Sequence, residues 1–449
     1  MNRRLYYIAL AILIASILFH QPLLFITGLL VLVIIGTTDM WATFCLRQLR
    51  YQRQFSEQRV LFGEQVTLSV SVENAKLLPL PWLEIEDTVP RALTMTGQHI
   101  SVSVVGDTAV LENLFSTRWY ERVTRRYTLH CAARGVHKFG PTVVRSGDVF
   151  GFISNEETLP NWQYLLVYPL VVPLTRFSLP ARHPFGDRRA PRRLLEDPSR
   201  VIGVRDYAYD DSLRRIHWKA TARAMQLQSK VYEPTTTYTM VIFLNVNTQF
   251  DTLHGLQPEL LELAICAAAS VSDWALNEGY AVGLYANTLM FMPEEQVHSN
   301  ATSEDEEKQE IDATIATQLK RRRIHLPPAT SEEQRRRIMD VLARIQPYFG
   351  STLEEVIHAE RSHLPAGATI VVITRTVTDH LLDPLVRLKQ SGHAVTILFV
   401  GDNPSPARLA GLSIYPIGGK EAWKRLVDAY GSASDTSSHP EKSSVGLRL

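Results

Sequence analysis

Two apolar runs at the start of the chain constrain it more than anything that follows. Leu5 to Phe19 contains no charged residue and is dominated by Leu, Ile, Ala and Phe. His20-Gln21-Pro22 interrupts it, and Leu23 to Gly36 resumes it, with a weaker amphipathic continuation to Leu46. Apolar surface on that scale is stable only where water is excluded. A cleaved signal peptide accounts for the first run but not the second, and no small-x-small site follows Phe19. Each run is somewhat short of the roughly 20 residues that span a bilayer. Flanking Tyr, Trp and Thr residues, which sit well at the interface, make up the difference. The pattern predicts a membrane hairpin over residues 1–50, with helices at about 5–19 and 23–46 and Trp41 near the exit of the second.

Orientation follows from the basic residues. Arg3 and Arg4 precede the first run, Arg47, Arg50 and Arg53 follow the second, and the loop between carries neither Lys nor Arg. The positive-inside rule then places both ends in the cytoplasm, along with everything after residue 50. The expectation is a multi-pass protein of the plasma membrane with cytoplasmic soluble domains.

A chain of 449 residues can hold several domains. Its 47 basic and 46 acidic residues nearly cancel, which argues against a nucleic-acid partner. Cys45, Cys131 and Cys266 are odd in number and far apart, so they form neither a disulfide framework nor a zinc ligand set. That usage fits a reducing compartment.

From residue 55 to 170 the chain reads as short strands. Val66–Val72 alternates apolar and polar residues with period two, the mark of a strand with one buried face. Trp82–Glu86, Ile100–Val104, Val123–His130 and Leu165–Tyr168 repeat it, with Gly, Pro and Asn between them. Regular short strands separated by turn signals predict an antiparallel β-sandwich of immunoglobulin-like type. Residues 171–200 read as a basic, Pro-rich linker able to approach anionic lipid headgroups.

From residue 201 to 430 the period changes. Strands at Tyr238–Val246, Tyr280–Tyr285, Ala368–Thr374 and Ala394–Val400 alternate with helices at Pro258–Leu276, Ser331–Ile345, Leu353–His363, Asp379–Lys389 and Lys420–Ala429. Alternation of this kind predicts a parallel, doubly wound α/β sheet. Residues 296–330, acidic and then basic, read as a solvent-exposed insertion, and the Ser-rich residues 431–449 as a disordered tail.

Between sandwich and sheet lies the densest chemistry of the chain, Gly203 to Arg223. Asp210 or Asp211 is placed to cap a helix. Arg215, Lys219 and Arg223 recur every fourth residue as one basic stripe. Leu213, Ile216, Ala220, Ala224 and Leu227 supply the face that packs down, with His217 and Trp218 between the two. The stripe either pairs with neighbouring carboxylates as architecture or offers a binding surface.

Gly203, Arg205, Tyr207, Asp211-Ser212, Arg214, Ile216-His217-Trp218-Lys219, Thr221-Ala222-Arg223 and Leu227 resemble the signature of the bacterial family called domain of unknown function 58. That family usually has Gly where Asp210 stands here. The doubly wound half resembles a von Willebrand factor A-type domain. Such domains hold a divalent cation with Asp-x-Ser-x-Ser at the end of the first strand, a Thr from a later loop and an Asp from a further strand. The matching positions are Asn245, Asn247 and Gln249, then Thr352, with Arg375 where the last acid is expected. Amides and a fixed positive charge in place of carboxylates disfavour a hard cation, so no metal and no cofactor is expected. Asn245, Asn247, Thr352 and Arg375 could instead accept a partner's carboxylate, or they only satisfy one another.

No phosphate-binding loop, nucleophile elbow or His-Glu-x-x-His motif is present. The reading is therefore a membrane-anchored scaffold or adaptor with no catalytic residue. The resemblance implies MoxR-type AAA+ ATPases and transglutaminase-like membrane proteins as partners, in complex assembly or envelope maintenance. The expected contact residues are Arg205, Tyr207, Asp211, Ser212, Arg214, Arg215, His217, Trp218, Lys219 and Arg223. The alternatives are a hydrolase using the Asp211–His217 region and a metal-dependent adhesion module.

Overall fold

The computed structural model describes residues 3–96, 100–102, 108–148, 153–177, 179, 185, 195–209, 211–235, 238–247, 257–289, 323–346, 351–402, 408–409 and 411–431. They fall into two units, one comprising Met1–Tyr168 and Val427–Leu449, the other Pro169–Leu426.

The first unit opens with helices α1 (Arg3–Leu18) and α2 (Pro22–Phe44). His20, at φ 52°, reverses the chain, and Pro22 starts α2, where its missing N–H costs nothing. The Tyr6 hydroxyl donates to Asp39 Oδ2 at 3.4 Å, so the start of α1 lies beside the end of α2. Gly28 lets the two approach closely, since a Cβ there would stand 3.1 Å from the Ile12 and Leu13 side chains. Where two passes were expected, only α2, with a mean hydropathy of 2.2, is long and apolar enough to cross a membrane among the described residues. The apolar part of α1, Tyr6–Leu18, is shorter. At about 1.5 Å per residue it reaches roughly 20 Å, against about 30 Å of hydrocarbon.

Among the described residues twelve strands follow: β1 (Leu49–Phe55), β2 (Arg59–Val60), β3 (Gln65–Asn74), β4 (Leu80–Pro90), β5 (Thr94–Thr96), β6 (Ile100–Val102), β7 (Thr108–Thr117), β8 (Arg122–His130), β9 (Gly135–Phe139), β10 (Thr142–Gly147), β11 (Ser154–Leu159) and β12 (Gln163–Val167). One antiparallel sheet runs β1-β3-β8-β5 and another β11-β10-β4-β7-β6. A small third sheet, β2-β12-β9, pairs β2 and β12 in parallel. Alternate residues point inward, so Val66, Leu68, Val70 and Val72 of β3 share one core with Leu83, Ile85, Leu111, Phe115 and Leu129. That alternation is what the period-two pattern encoded.

The core also encloses charge. Arg53 Nε lies 3.4 Å from Asp87 Oδ2, with both side chains almost fully buried. The Tyr51 hydroxyl donates to the same carboxylate at 2.7 Å and the Thr142 hydroxyl at 3.1 Å. Burial raises the Asp87 pKa, and the Arg53 guanidinium opposes that shift.

α2 is tied directly into this core. Lys76, itself buried, donates from Nζ to the carbonyls of Cys45 at 2.5 Å and Arg47 at 2.7 Å, closing the helix C-terminus with a positive charge. Trp41 Nε1 donates to Pro79 O at 3.1 Å, and Trp41 and Leu46 pack against the sandwich core.

In the second unit, some residues expected to be linker belong to the fold. Leu174–Phe177 forms a 3-10 turn with Leu174 and Phe177 buried, Phe185 packs edge-on against Trp274 at 5.5 Å, and strand β13 already begins at Leu195. β13 (Leu195–Asp206) pairs antiparallel with β14 (Gln228–Thr235), and the short helix α3 (Trp218–Ala224) lies in the connection.

The α/β part continues with β15 (Thr239–Leu244), α4 (Pro258–Asn277), β16 (Ala281–Leu289), β17 (Arg323–Ala329), α5 (Glu332–Arg344), α6 (Leu353–Glu360) and β18 (Thr369–Thr374). It closes with α7 (Asp379–Gln390), β19 (Ala394–Val400), β20 (Arg408–Leu409), β21 (Leu412–Gly418) and α8 (Lys420–Gly431). The sheet order is β17-β16-β15-β18-β19-β21-β20. It is mixed rather than wholly parallel, because β17 and β20 are antiparallel edges. β17 lies within the stretch expected to be a solvent-exposed insertion. Ile324 is buried there, and Leu326 pairs with Leu284 of β16, so apolar residues draw it onto the sheet. The rest of that insertion, residues 296–322, and the expected tail after Gly431 lie outside the described residues.

Candidate functional site

The β13–β14 ribbon is organised around one carboxylate. Asp211 Oδ1 accepts from Arg205 Nη2 at 2.6 Å, while Oδ2 accepts from the Ala208 backbone N–H at 3.1 Å and the Ser229 hydroxyl at 3.0 Å. Its own N–H returns to Ala208 O at 2.9 Å, and the Tyr207 hydroxyl donates to Asp211 O at 3.0 Å. The Ala208 N–H above all, then Ser229 and Arg205, hold the Asp211 carboxyl below its ordinary range. Arg205, Tyr207 and Asp211 are thus brought together, as a turn lock rather than a helix cap.

The cap comes from another residue. His217 Nδ1 accepts from the Ala220 N–H at 3.1 Å, the N-cap position of α3. A nitrogen that accepts there carries no proton, so the ring N–H sits on Nε2. Ile216 is extended and forms a bridge with Ser229 of β14, which keeps the helix from starting earlier. The expected stripe is therefore broken. Arg215 lies in a preceding 3-10 turn, and only Lys219 and Arg223 share α3. At the far end, the Thr221 hydroxyl accepts from the Gln228 N–H at 3.1 Å, and Gln228 Nε2 donates to Asp206 at 2.6 Å.

The apolar face differs most from expectation. Ile216 is buried, but Leu213 is 73% exposed and Leu227 46%. Trp218 is 70% exposed, Met225 88% and Tyr209 fully exposed. Arg214, Lys219 and Arg223 are exposed as well, and the Arg205 side chain is about half exposed. Tyr209, Leu213 and Met225 were missed as surface residues. Helical periodicity assigned Leu213 inward because it assumed a helix beginning before Trp218. Asp210 lies outside the described residues.

Both Asp211 oxygens are engaged by Arg205, Ala208 and Ser229, and no hydrogen bond joins His217 to Asp211 or Ser212 among the described residues.

The second candidate region lies where the strand order reverses, at the carboxyl ends of β15 and β18, the usual ligand crevice of such sheets. Asn245 Nδ2 donates to the Thr374 hydroxyl at 3.0 Å. Asn245 Oδ1 accepts from Asn287 Nδ2 at 2.9 Å and from the Asn247 N–H at 3.1 Å. Asn287 Oδ1 in turn accepts from the Val246 N–H at 2.7 Å. An oxygen already facing two N–H donors presents no lone pair to a cation. Thr352 is the N-cap of α6, accepting from the Glu355 N–H. Arg375 has its pKa lowered by burial, against the attraction of Asp402. Asn287 was not anticipated from sequence, and Gln249 lies outside the described residues.

Residues 203–304 match the family model described as protein of unknown function DUF58. That stretch, the DUF58 segment, is similar to the family and makes up under a quarter of the chain. The uncharacterized protein YeaD of Bacillus subtilis (strain 168) is 26% identical over 247 residues, covering 54% of this chain. The match spans only 57% of that relative's length. Among solved structures, the CARDB domain of a Pyrococcus furiosus protein is 11% identical, over 27% of this chain and 92% of that one, with a TM-score of 0.18. A cohesin module from Clostridium perfringens is 10% identical, over 26% of this chain and 96% of that one, with a TM-score of 0.20. The described part of the DUF58 segment includes the Asp211 lock, the capped helix α3 and the exposed side chains of Tyr209, Leu213, Trp218 and Met225.

Proposed function

We propose that the protein is a membrane-anchored adaptor whose DUF58 segment docks a protein partner. The observation that carries the reading is the exposure of Tyr209, Leu213, Trp218 and Met225 within one short stretch of chain that also carries Arg205, Arg214, Lys219 and Arg223. Large aromatic and apolar groups exposed to this extent mark recognition surfaces, and Trp, Tyr and Arg dominate binding energy at interfaces. The cations favour a partner with an acidic face. The Asp211 lock and the His217 cap supply the rigidity that lets a surface bind without a large ordering penalty.

The rest of the molecule suits an adaptor. α2 is the membrane span, and the basic residues flanking the hairpin favour a cytoplasmic position for everything that follows. On this reading α1 completes a second, shorter pass, the two antiparallel sheets form an immunoglobulin-like spacer, and the α/β part is a von Willebrand A-like module. The last assignment is supported by the reversal of strand order between β15 and β18 and by the antiparallel edge strand β17. The self-satisfied amides at Asn245 and Asn287 favour a protein-binding over a cation-binding version of that module.

The family resemblance makes a MoxR-type AAA+ ATPase the first partner to test, with a transglutaminase-like membrane protein as the second. The experiment is the affinity of the full chain in nanodiscs for the purified ATPase, with wild type compared to Trp218→Ala and Arg214→Glu. Weakening of about tenfold or more by either variant, with unchanged thermal stability, is expected. Equal affinity for all three proteins removes the DUF58 surface from the interaction.

A further inference from the structure

Where α2 enters the sandwich there is a cavity of about 350 Å³, lined among others by Thr43, Arg47, Gln48, Asn155 and Glu157. That volume falls at the lower end of the roughly 300–1,000 Å³ typical of small-ligand sites. Its wall is held firmly, because Asn155 Nδ2 donates to Ala42 O at 2.5 Å and Lys76 fixes the carbonyls of Cys45 and Arg47. Two opposite charges line it. The Arg47 guanidinium stacks over the Phe44 ring, 4.9 Å from its centre, with no carboxylate partner among the described residues. Glu157, on β11, has no ion pair or side-chain hydrogen bond within the described residues.

Depth places this cavity beside lipid headgroups. The uncharged run of α2 ends before Asp39, and the interface-seeking Trp41 follows. From Asp39 to Thr43 the helix rises roughly 6 Å, about the thickness of one headgroup layer outside the hydrocarbon. A ligand that meets both an unpaired cation and an unpaired anion at that level is zwitterionic. An arginine fork suits a phosphate, and a carboxylate suits a primary ammonium.

We propose that this cavity is a lipid-headgroup site taking a phosphoethanolamine group, with Arg47 on the phosphate and Glu157 on the ammonium. The site rests on the reading of α2 as a membrane span. It would seat the sandwich against the bilayer surface at a fixed height, using contacts that neither the DUF58 segment nor the α/β sheet provides.

The test is native mass spectrometry of the full chain released from nanodiscs of phosphatidylethanolamine, phosphatidylcholine or phosphatidylglycerol. One retained phosphatidylethanolamine per chain is expected, in preference to the other two lipids. Arg47→Gln should lower retention of that lipid about tenfold, the order expected for losing one charge-assisted hydrogen bond. Glu157→Gln should abolish the preference for phosphatidylethanolamine over phosphatidylglycerol. Arg50→Gln, at the next basic residue along the chain but outside the cavity lining, should change neither. Equal retention in all variants overturns the proposal, as does filling by soluble phosphoethanolamine with no lipid retained. Carbonate extraction keeps the two readings apart. A chain washed from the membrane refutes the span itself, whereas an integral chain with no lipid preference refutes only the headgroup site.

Discussion

The sandwich and the DUF58 segment each contain an aspartate that meets an arginine and lies close to a tyrosine. In the sandwich, Asp87 faces Arg53 and accepts from Tyr51 inside the core. In the DUF58 segment, Asp211 faces Arg205 at the surface, while Tyr207 holds its backbone carbonyl. The same residue types end in opposite electrostatics. Burial raises the Asp87 pKa, and backbone and hydroxyl donors lower that of Asp211. The lesson is that burial, which outweighs the arginine and two hydroxyl donors at Asp87 but not the donors at Asp211, decides whether a triad serves the core or shapes a surface.

The sharpest way to break the comparison is to remove one partner from each triad. Asp87→Leu leaves the buried Arg53 without its counter-ion and should destabilise the sandwich by about 3–5 kcal/mol, measured by denaturant unfolding of the full chain. Adding Arg53→Met to that variant should recover much of the loss, since a well-packed apolar pair can replace a buried ion pair. Asp211→Asn should leave the sandwich untouched and instead speed hydrogen exchange at the Ala208 amide.

The next effect is on binding. Trp218→Ala should weaken partner affinity by about 2 kcal/mol with stability within about 0.5 kcal/mol of wild type, because the side chain is exposed and packs little. His217 gives a smaller effect that separates architecture from catalysis. His217→Ala should cost about 1 kcal/mol of local stability through the lost cap, and His217→Asn, itself a good cap, should restore it. A catalytic imidazole would not be rescued by an amide.

The smallest effect expected is on pH dependence. Asp211 has a depressed folded pKa, so its contribution is complete above the unfolded carboxyl value and is lost as pH falls through the folded value. Asp87 has the opposite sign: its carboxyl binds a proton more readily when folded, so acid draws no stability from the sandwich through that group. Hydrogen exchange on acidification below about pH 4 should therefore show the turn at Ala208 loosening before β4 does. Simultaneous loosening would mean that the two carboxylates do not differ as described.

Much of this architecture was legible in the amino-acid order. Alternation at Val66–Val72 gave β3, and the apolar runs gave α1 and α2 to within a few residues. Switching periods marked the passage from sheets to α/β structure. What periodicity could not show was where α3 begins, because that is settled by the bridge between Ile216 and Ser229 on a strand 13 residues later in the chain. Once the helix starts at Trp218, Leu213 faces solvent and Arg215 leaves the stripe. The edge strand β17 was hidden for a similar reason. His325-Leu-Pro-Pro328 carries little strand signal of its own and is recruited by β16. At the switch point, Asn245 and Thr352 were visible as polar residues, but the saturation of Asn245 by Asn287 depends on a partner 42 residues away.

The most direct test of the central claim is hydrogen–deuterium exchange of the full chain in nanodiscs with and without the MoxR-type ATPase. Docking through the DUF58 surface predicts slowed exchange in residues 207–227, with the sandwich strands β3 and β4 unchanged. Protection confined to the sandwich or to the carboxyl ends of β15 and β18, with residues 207–227 unaffected, would contradict it.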